Sequence, residues 1–264
     1  MPDRILVPLD GSAASLDALP VALALARPAG ATVLLARVHD MPTRALSGRA
    51  GVLGVADAAA AQRQTIAEAL DALAERLRAT PAAHGVAIET ATLEARDVAG
   101  ALLAHAARAG ASLLVLTTRA AGAMRRAFVG SVADRLAREA TVPVVLVPPG
   151  ARPAAGADPD HTGSGARSVD PPTWTPQRIL VPLDGSAAAE SVLAGLRAHP
   201  ALDAAERVLV QVVVPQTLSG LVPPPALVDP VGVSDDEADA RAALEAAARR
   251  VAEPGRPVRV EAVT

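Results

Sequence analysis

An eleven-residue stretch occurs twice in this chain without a single difference: Arg4-Ile5-Leu6-Val7-Pro8-Leu9-Asp10-Gly11-Ser12-Ala13-Ala14, and again Arg178 to Ala188. An internal repeat of that length marks two copies of one structural unit. Each copy is a short apolar run, an Asp-Gly-Ser turn and an Ala/Leu-periodic segment. That pattern is strand, tight turn, helix, the opening of a βα unit. A chain of 264 residues holds one large domain or two small ones, and the repeat favours two.

Ile5 to Leu9 is continuously apolar, as in a strand buried on both faces. A helix follows to about Arg27, with Leu16, Leu19, Leu23 and Ala26 on one face, a kink at Pro20 and a stop at Pro28 to Gly30. Thr32 to Val38 reads as a second strand, His39 to Val55 as a loop, and Asp57 to Thr80 as a long helix burying Ile66, Leu70, Leu73 and Leu77. Val86 to Leu93 is a third strand, and Asp97 caps a helix that runs to Arg108 and ends at Gly110. Leu113 to Thr118 is the fourth strand, Arg119 to Gly130 a loop, Ser131 to Glu139 a helix and Val142 to Val147 the fifth strand. Alternating apolar strands and helices predict an α/β fold: an open, mostly parallel five-stranded sheet with helices on both faces, in which the helices make the crossovers. Ligands of such sheets bind beyond the carboxyl ends of the strands. This edge gathers Asp10, Val38 to Asp40, and Thr117 to Ser131.

Residues 1–148 thus read as one complete unit. Residues 149–177, rich in Pro, Gly, Ala, Asp and Ser, read as a flexible linker. Residues 178–264 open a second copy with a strand Ile179 to Leu183, a helix Ala187 to Ala198, a strand Arg207 to Val214 and a loop Pro215 to Gly232. A helix Ser234 to Ala252, with a capping box of Ser234 and Glu237, and a strand Pro257 to Val263 complete it. This copy has no counterpart of Gly100 to Val147, so it reads as incomplete.

Composition removes several classes of function. There is no Cys, which excludes disulfides, thiolate metal sites and Cys nucleophiles. A net charge of -3 gives no electrostatic reason to expect nucleic acid. No apolar run reaches about 18 residues and no leader pattern opens the chain, so the expectation is a soluble cytoplasmic protein that engages no membrane. The core must be built from Ala, Val and Leu, because the chain holds one Trp, one Phe and no Tyr. None of the five histidines is spaced with another as a metal ligand; His39 ends a strand at the functional edge, where it could touch a ligand, with a solvated strand end the favoured reading.

Taken together, several segments resemble the universal stress protein family in its tandem form. They are the Ile-Leu-Val-Pro-Leu-Asp-Gly-Ser opening, Arg37-Val38-His39, Ala111 to Leu116, Gly130-Ser131-Val132-Ala133-Asp134-Arg135-Leu136 and Pro143 to Val147. The resemblance covers Arg4 to Val147 fully and Arg178 to Val263 in part. It implies a Rossmann-like sheet of five parallel strands able to bind an adenine nucleotide, ATP with Mg²⁺. It also implies a site drawn from Pro8, Asp10, Val38, Leu116, Thr117, Ala120, Gly130, Ser131 and Val132. Asp10 and Pro8 would then line the adenine and ribose side, and Val38 would offer backbone hydrogen bonds to adenine. ATP-binding members carry a Gly-x2-Gly-x9-Gly-Ser loop. Here its first two glycines fall on Thr117 and Ala120, while Gly130 and Ser131 are retained. Glycines let backbone N–H groups approach phosphate, often at positive φ, so their loss weakens the expected binding. Arg119, Arg125 and Arg126 could contribute cation contacts. Ser131 with Asp134 also satisfies the pattern of an N-cap and box partner, and Asp10 that of a helix cap or an Asx turn.

The leading expectation is a nucleotide-sensing regulatory module in stress response, acting on a regulatory partner protein. The alternative is a nucleotide-free scaffold for dimerisation and protein contacts. A weak ATPase ranks last, because the loop shows neither an evident general base nor a metal cluster, and a fold alone does not give chemistry. The apolar edge strand Val142 to Val147 has no internal partner in this chain, so a homodimer through that edge is expected.

Overall fold

The computed structural model describes residues 3–40, 51–118, 130–149, 176–197, 199–212, 230–251 and 258–263. It divides into two compact units, Met1–Thr175 and Pro176–Thr264.

The first unit holds strands β1 (Arg4–Pro8), β2 (Thr32–Asp40), β3 (Ile88–Ala95), β4 (Ala111–Thr117) and β5 (Val144–Val147). All pair in parallel, in the order β3-β2-β1-β4-β5. The helices are α1 (Ala18–Ala29), α2 (Gly51–Arg78), α3 (Val98–Ala109) and α4 (Ser131–Glu139). The sheet has the predicted α/β architecture, with layers on both faces. On one face, Leu6, Leu34, Ala36, Leu114 and Leu116 pack against Ala99, Leu102 and Ala106 of α3 and Ala133 and Leu136 of α4. Their strand neighbours Ile5, Val7, Val33, Leu35, Leu113 and Val115 point the other way and are fully buried, on the side of α1 and α2. Strands buried on both faces account for the unbroken apolar runs.

Boundaries moved where local chemistry outweighed pattern. The first helix opens with a 3₁₀ turn, Ala14–Asp17, so Pro20 sits in the first turn of α1. Its missing N–H would have no intrahelical partner there, and no kink is needed. Pro28 does not stop α1; it lies inside the last turn, and the helix closes at Gly30. Helix α2 begins at Gly51, earlier than the expected Asp57. Gly51 and Gly54 each lower helix propensity by about 1 kcal/mol, which hid this start. The buried stripe of α2 runs through Ile66, Leu70, Ala74 and Leu77, with Leu73 only half-buried. Strand β5 begins at Val144 rather than Val142, directly after Pro143, which has no N–H to give the ladder. The Asp97 cap is present: its carboxylate accepts from the Gly100 N–H at 3.1 Å.

The second unit is smaller. Strands β6 (Arg178–Pro182), β7 (Glu206–Val212) and β8 (Val258–Val263) pair in parallel in the order β6-β7-β8. Its helices are α5 (Ala187–Arg197), the short α6 (Pro200–Asp203) and α7 (Pro230–Val251). Ser234 lies inside α7, so the expected Ser234–Glu237 capping box is not the start of that helix. Pro230 opens it instead, in the one position where its fixed φ and missing N–H cost nothing. One apolar cluster holds the unit together, from Val181, Leu183, Leu193, Leu209, Leu244 and Ala247. Register equates Arg207 with Val33 of the first unit, and the buried Arg207 guanidinium is held by Asp203.

The repeated stretch folds identically at its turn. The Ser12 N–H donates to Asp10 Oδ1 at 2.8 Å, and the Ser186 N–H donates to Asp184 Oδ1 at 2.9 Å. Each serine hydroxyl then accepts from the N–H three residues on, Ser15 at 3.2 Å and Ala189 at 3.1 Å. Between the two candidate roles of Asp10, the geometry shows the Asx turn. Hydrogen bonding from Ser186 also holds the Asp184 carboxyl below its ordinary range. The surroundings differ. In the first unit β1 is central; in the second β6 is an edge. Leu6 is fully buried under α3 and α4, whereas its copy Leu180, on the face of β6 away from the cluster with α5 and α7, is 61% exposed.

Candidate functional site

The carboxyl edge of the first sheet carries a cavity of about 510 Å³. That size suits a small organic ligand. Its lining includes Pro8, Asp10, Val38, Leu116, Thr117, Gly130, Ser131 and Val132. These are eight of the nine positions implied by the resemblance; the ninth, Ala120, lies outside the described residues, as do Arg119, Arg125 and Arg126. Residues far apart in sequence converge because β1, β2 and β4 end side by side at the point where strand order reverses.

Strand length creates one wall. Strand β1 ends at Pro8, whereas β2 continues to Asp40. The Leu9 N–H donates to Ala36 O at 2.8 Å, so Ala36 faces the β1 side; the Val33 N–H donates to Ala87 O at 2.8 Å, so Val33 faces β3. Alternate residues of a parallel strand address alternate neighbours. Val38 therefore presents its N–H and C=O to the β1 side, beyond the end of that strand. A donor and an acceptor from one residue face the cavity there.

The N-terminus of α4 makes the opposite wall. Gly130 is its N-cap, with φ -57 and ψ 151, and no side chain caps it. This corrects the reading of Ser131 as an N-cap with Asp134 as box partner. Ser131 is the first helical residue, and Asp134 bonds Arg138 at 3.0 Å instead. The first intrahelical bond runs from the Asp134 N–H to Gly130 O at 2.9 Å. The preceding N–H groups of Ser131, Val132 and Ala133 are thus the orphan donors of the helix start, beside the cavity. They and the helix dipole favour an anion. Thr117 is the last residue of β4, in register with Val147. Its extended backbone does not need a glycine, and a β-branched residue suits it.

Other lining residues lie outside the set that the resemblance implies. Arg37 lies across the Asp10-Gly11-Ser12 turn, with its guanidinium against Gly11. No carboxylate among the described residues pairs with it. Gln62 and Ile66 come from α2, where they share the stripe of Leu70 at four-residue spacing, a signal that could have found Gln62. His39 also lines the cavity, and it is not a solvated strand end: only 4% of it is exposed. Its Nε2 is buried with no hydrogen-bond partner among the described residues. Such an atom left bare costs about 1–3 kcal/mol. Asp97, at the start of α3, binds Arg135 of α4 at 2.6 Å. That hydrogen bond, with the Gly100 N–H, holds the Asp97 carboxyl below its ordinary range. The pair ties the start of α3 to the middle of α4, the two helices that cover this face.

A comparison with family profiles matches residues 1–148 to the Universal stress protein family. The chain belongs to the universal stress protein family. No curated protein matches the chain. Among solved structures, a universal stress family protein from Burkholderia pseudomallei is 32% identical over 56% of this chain and 96% of its own, with a TM-score of 0.39. A universal stress protein from Archaeoglobus fulgidus aligns over 100% of this chain and 78% of its own, at 16% identity and a TM-score of 0.54. A universal stress protein in complex with cAMP is 22% identical over 56% of this chain and 97% of its own, with a TM-score of 0.36. Membership supports a role in stress response. Among the described residues, no helix is long and apolar enough to cross a membrane, and no group of three His, Asp or Glu is placed to hold a metal ion.

Proposed function

We propose that residues 1–148 are a nucleotide-sensing module that binds ATP or a related adenine nucleotide and relays that state to a regulatory partner. In this reading residues 149–177 are a linker and residues 178–264 an incomplete second copy of the same fold.

One observation carries the reading. A single cavity has a backbone donor–acceptor pair at Val38 on one wall and the uncapped N-terminus of α4 on the other. The first suits the hydrogen-bonding edge of a nucleobase, and the second suits phosphate. The two walls belong to β2 and to the helix after β4, which are two strand spacings apart, roughly 10 Å. The donor set therefore fits an elongated ligand with a neutral end and an anionic end. A Mg²⁺ ion would ride mainly on the phosphates and water, as this ion commonly does.

The test is a calorimetric titration of the purified chain with ATP, with and without Mg²⁺. Saturable binding with one site per chain is expected. Absence of heat and of any thermal shift at millimolar ATP would sink the reading. Ala120→Gly restores one loop glycine and is expected to tighten binding.

A second reading, a nucleotide-free scaffold, draws on strand β5. It lies at the sheet edge, and its residues Val144, Val145 and Leu146 are only partly buried. Unpaired apolar edges recruit other strands. We place a homodimer contact there under both readings, and only ATP binding separates them.

A further inference from the structure

The cavity has a wall that neither β1 nor α4 explains. On the α2 side of the sheet, His39, Arg37 and Gln62 bring polar side chains to a pocket otherwise bounded by Ile66 and Leu9. Among these, His39 is distinctive. Its ring is buried, and its Nε2 meets no hydrogen-bond partner among the described residues. Buried polar atoms are almost always hydrogen-bonded, and an exception beside a cavity marks a place where something else supplies the partner.

We propose that His39 is a ligand contact, its Nε2 hydrogen-bonding a neutral polar group at the base–ribose end of the ligand and so helping to set which ligand the pocket takes. The inference rests on the reading of this cavity as a nucleotide site and adds to it a contact from the opposite face of β2. Alternation along β2 puts Val38 on the α3 face and His39 on the α2 face, so the two address the same strand end from different sides. The placement of the anion seat makes the group at His39 the neutral one. The register partner of His39 on β3 is Glu94, whose carboxylate shares the α2 face and is held by Arg63 at 2.5 Å. The seat for an anion is the start of α4, on the far side of β1.

The variant His39→Val separates this role from a structural one. Valine suits a buried strand and removes an unsatisfied polar atom. The expected result is a melting temperature in the absence of ligand that is unchanged or higher, with affinity for Mg²⁺-ATP weakened by roughly three- to tenfold, the range of one hydrogen bond. His39→Gln, which keeps an amide near the same place, is expected to lose less. In ¹⁵N-histidine-labelled protein, the Nε2 resonance of His39 should move on ATP addition. Unchanged affinity in His39→Val, or an Nε2 resonance indifferent to ATP that the wild type binds, overturns this proposal and leaves the nucleotide reading standing. A wild-type chain that does not bind ATP overturns both. If His39→Val melts several degrees lower, the resonance decides: movement on ATP addition supports the contact, and indifference overturns it.

Discussion

The Arg37 guanidinium occupies the space beside Gly11: a Cβ on that glycine would stand 2.5 Å from Arg37 Nη2. Gly11 also has φ of 83, in the left-handed region. Its copy Gly185 has φ of 81, but the nearest atom to its Cβ position is Gln211 Nε2 at 3.8 Å, an ordinary contact. The two copies share a turn and differ in what lies over it. Gly11→Ala and Gly185→Ala should therefore each destabilise their own unit by about 1–2 kcal/mol, the cost of a side chain in left-handed backbone. Only Gly11→Ala should also displace the flexible Arg37 and weaken ligand binding. Urea denaturation followed by ATP titration checks both halves; weakened binding in Gly185→Ala would contradict the assignment of the site to the first unit.

Ser131 is not the cap of α4, so its hydroxyl is not needed to start the helix. Ser131→Ala is expected to change stability by no more than about 0.5 kcal/mol. Under the nucleotide reading the same variant binds ATP less tightly, through loss of a hydroxyl donor beside the phosphate seat. A large drop in melting temperature would restore the capping role that the geometry denies.

The outward side of β5 can be blocked without cutting its ladder to β4. The Leu114 N–H donates to Pro143 O at 3.0 Å and the Thr118 N–H to Val147 O at 3.0 Å, so odd-numbered residues address β4. The N–H of Val144 points outward. Val144→Pro removes that donor at a position where an edge strand tolerates proline. Sedimentation should show a dimer for the native chain and a monomer for the variant, with α/β circular dichroism retained. A native chain that is monomeric at micromolar concentration would rule out the edge contact.

Asp97 links cap and ion pair. Its folded pKa is held down, chiefly by the hydrogen bond from Arg135 and then by the Gly100 N–H. A depressed carboxylate stabilises the fold above its unfolded pKa, about 3.9, and that contribution fades as pH falls through the lower folded value. Asp97→Asn, which can still cap, should melt below the native chain at pH 7, with the gap closing below about pH 4. Thermal melts across pH 2–8 read this directly. Both partners are well exposed, so the gap should be small and should shrink in high salt.

The sequence by itself determined the α/β architecture of the first unit, because strands buried on both faces must be continuously apolar and parallel strands need helical crossovers. It also determined the turn at Asp10 and Asp184, a local device of three residues that closes the same way in both copies. Eight predicted residues meet around one cavity because the topology ends their strands and starts α4 at a common edge. Only the tertiary structure decided the rest. Whether Ser131 caps its helix depends on the backbone of Gly130, and whether Thr117 needs to be glycine depends on its pairing with Val147. The burial of His39 could not be read, because nothing in its neighbours along the chain announces that Gln62 and Ile66 of α2 line the same cavity. Leu6 and Leu180 sit in identical stretches, yet one is buried and the other exposed, because burial belongs to what covers a residue's face of the sheet, here α3 and α4 over Leu6, and not to the residue itself.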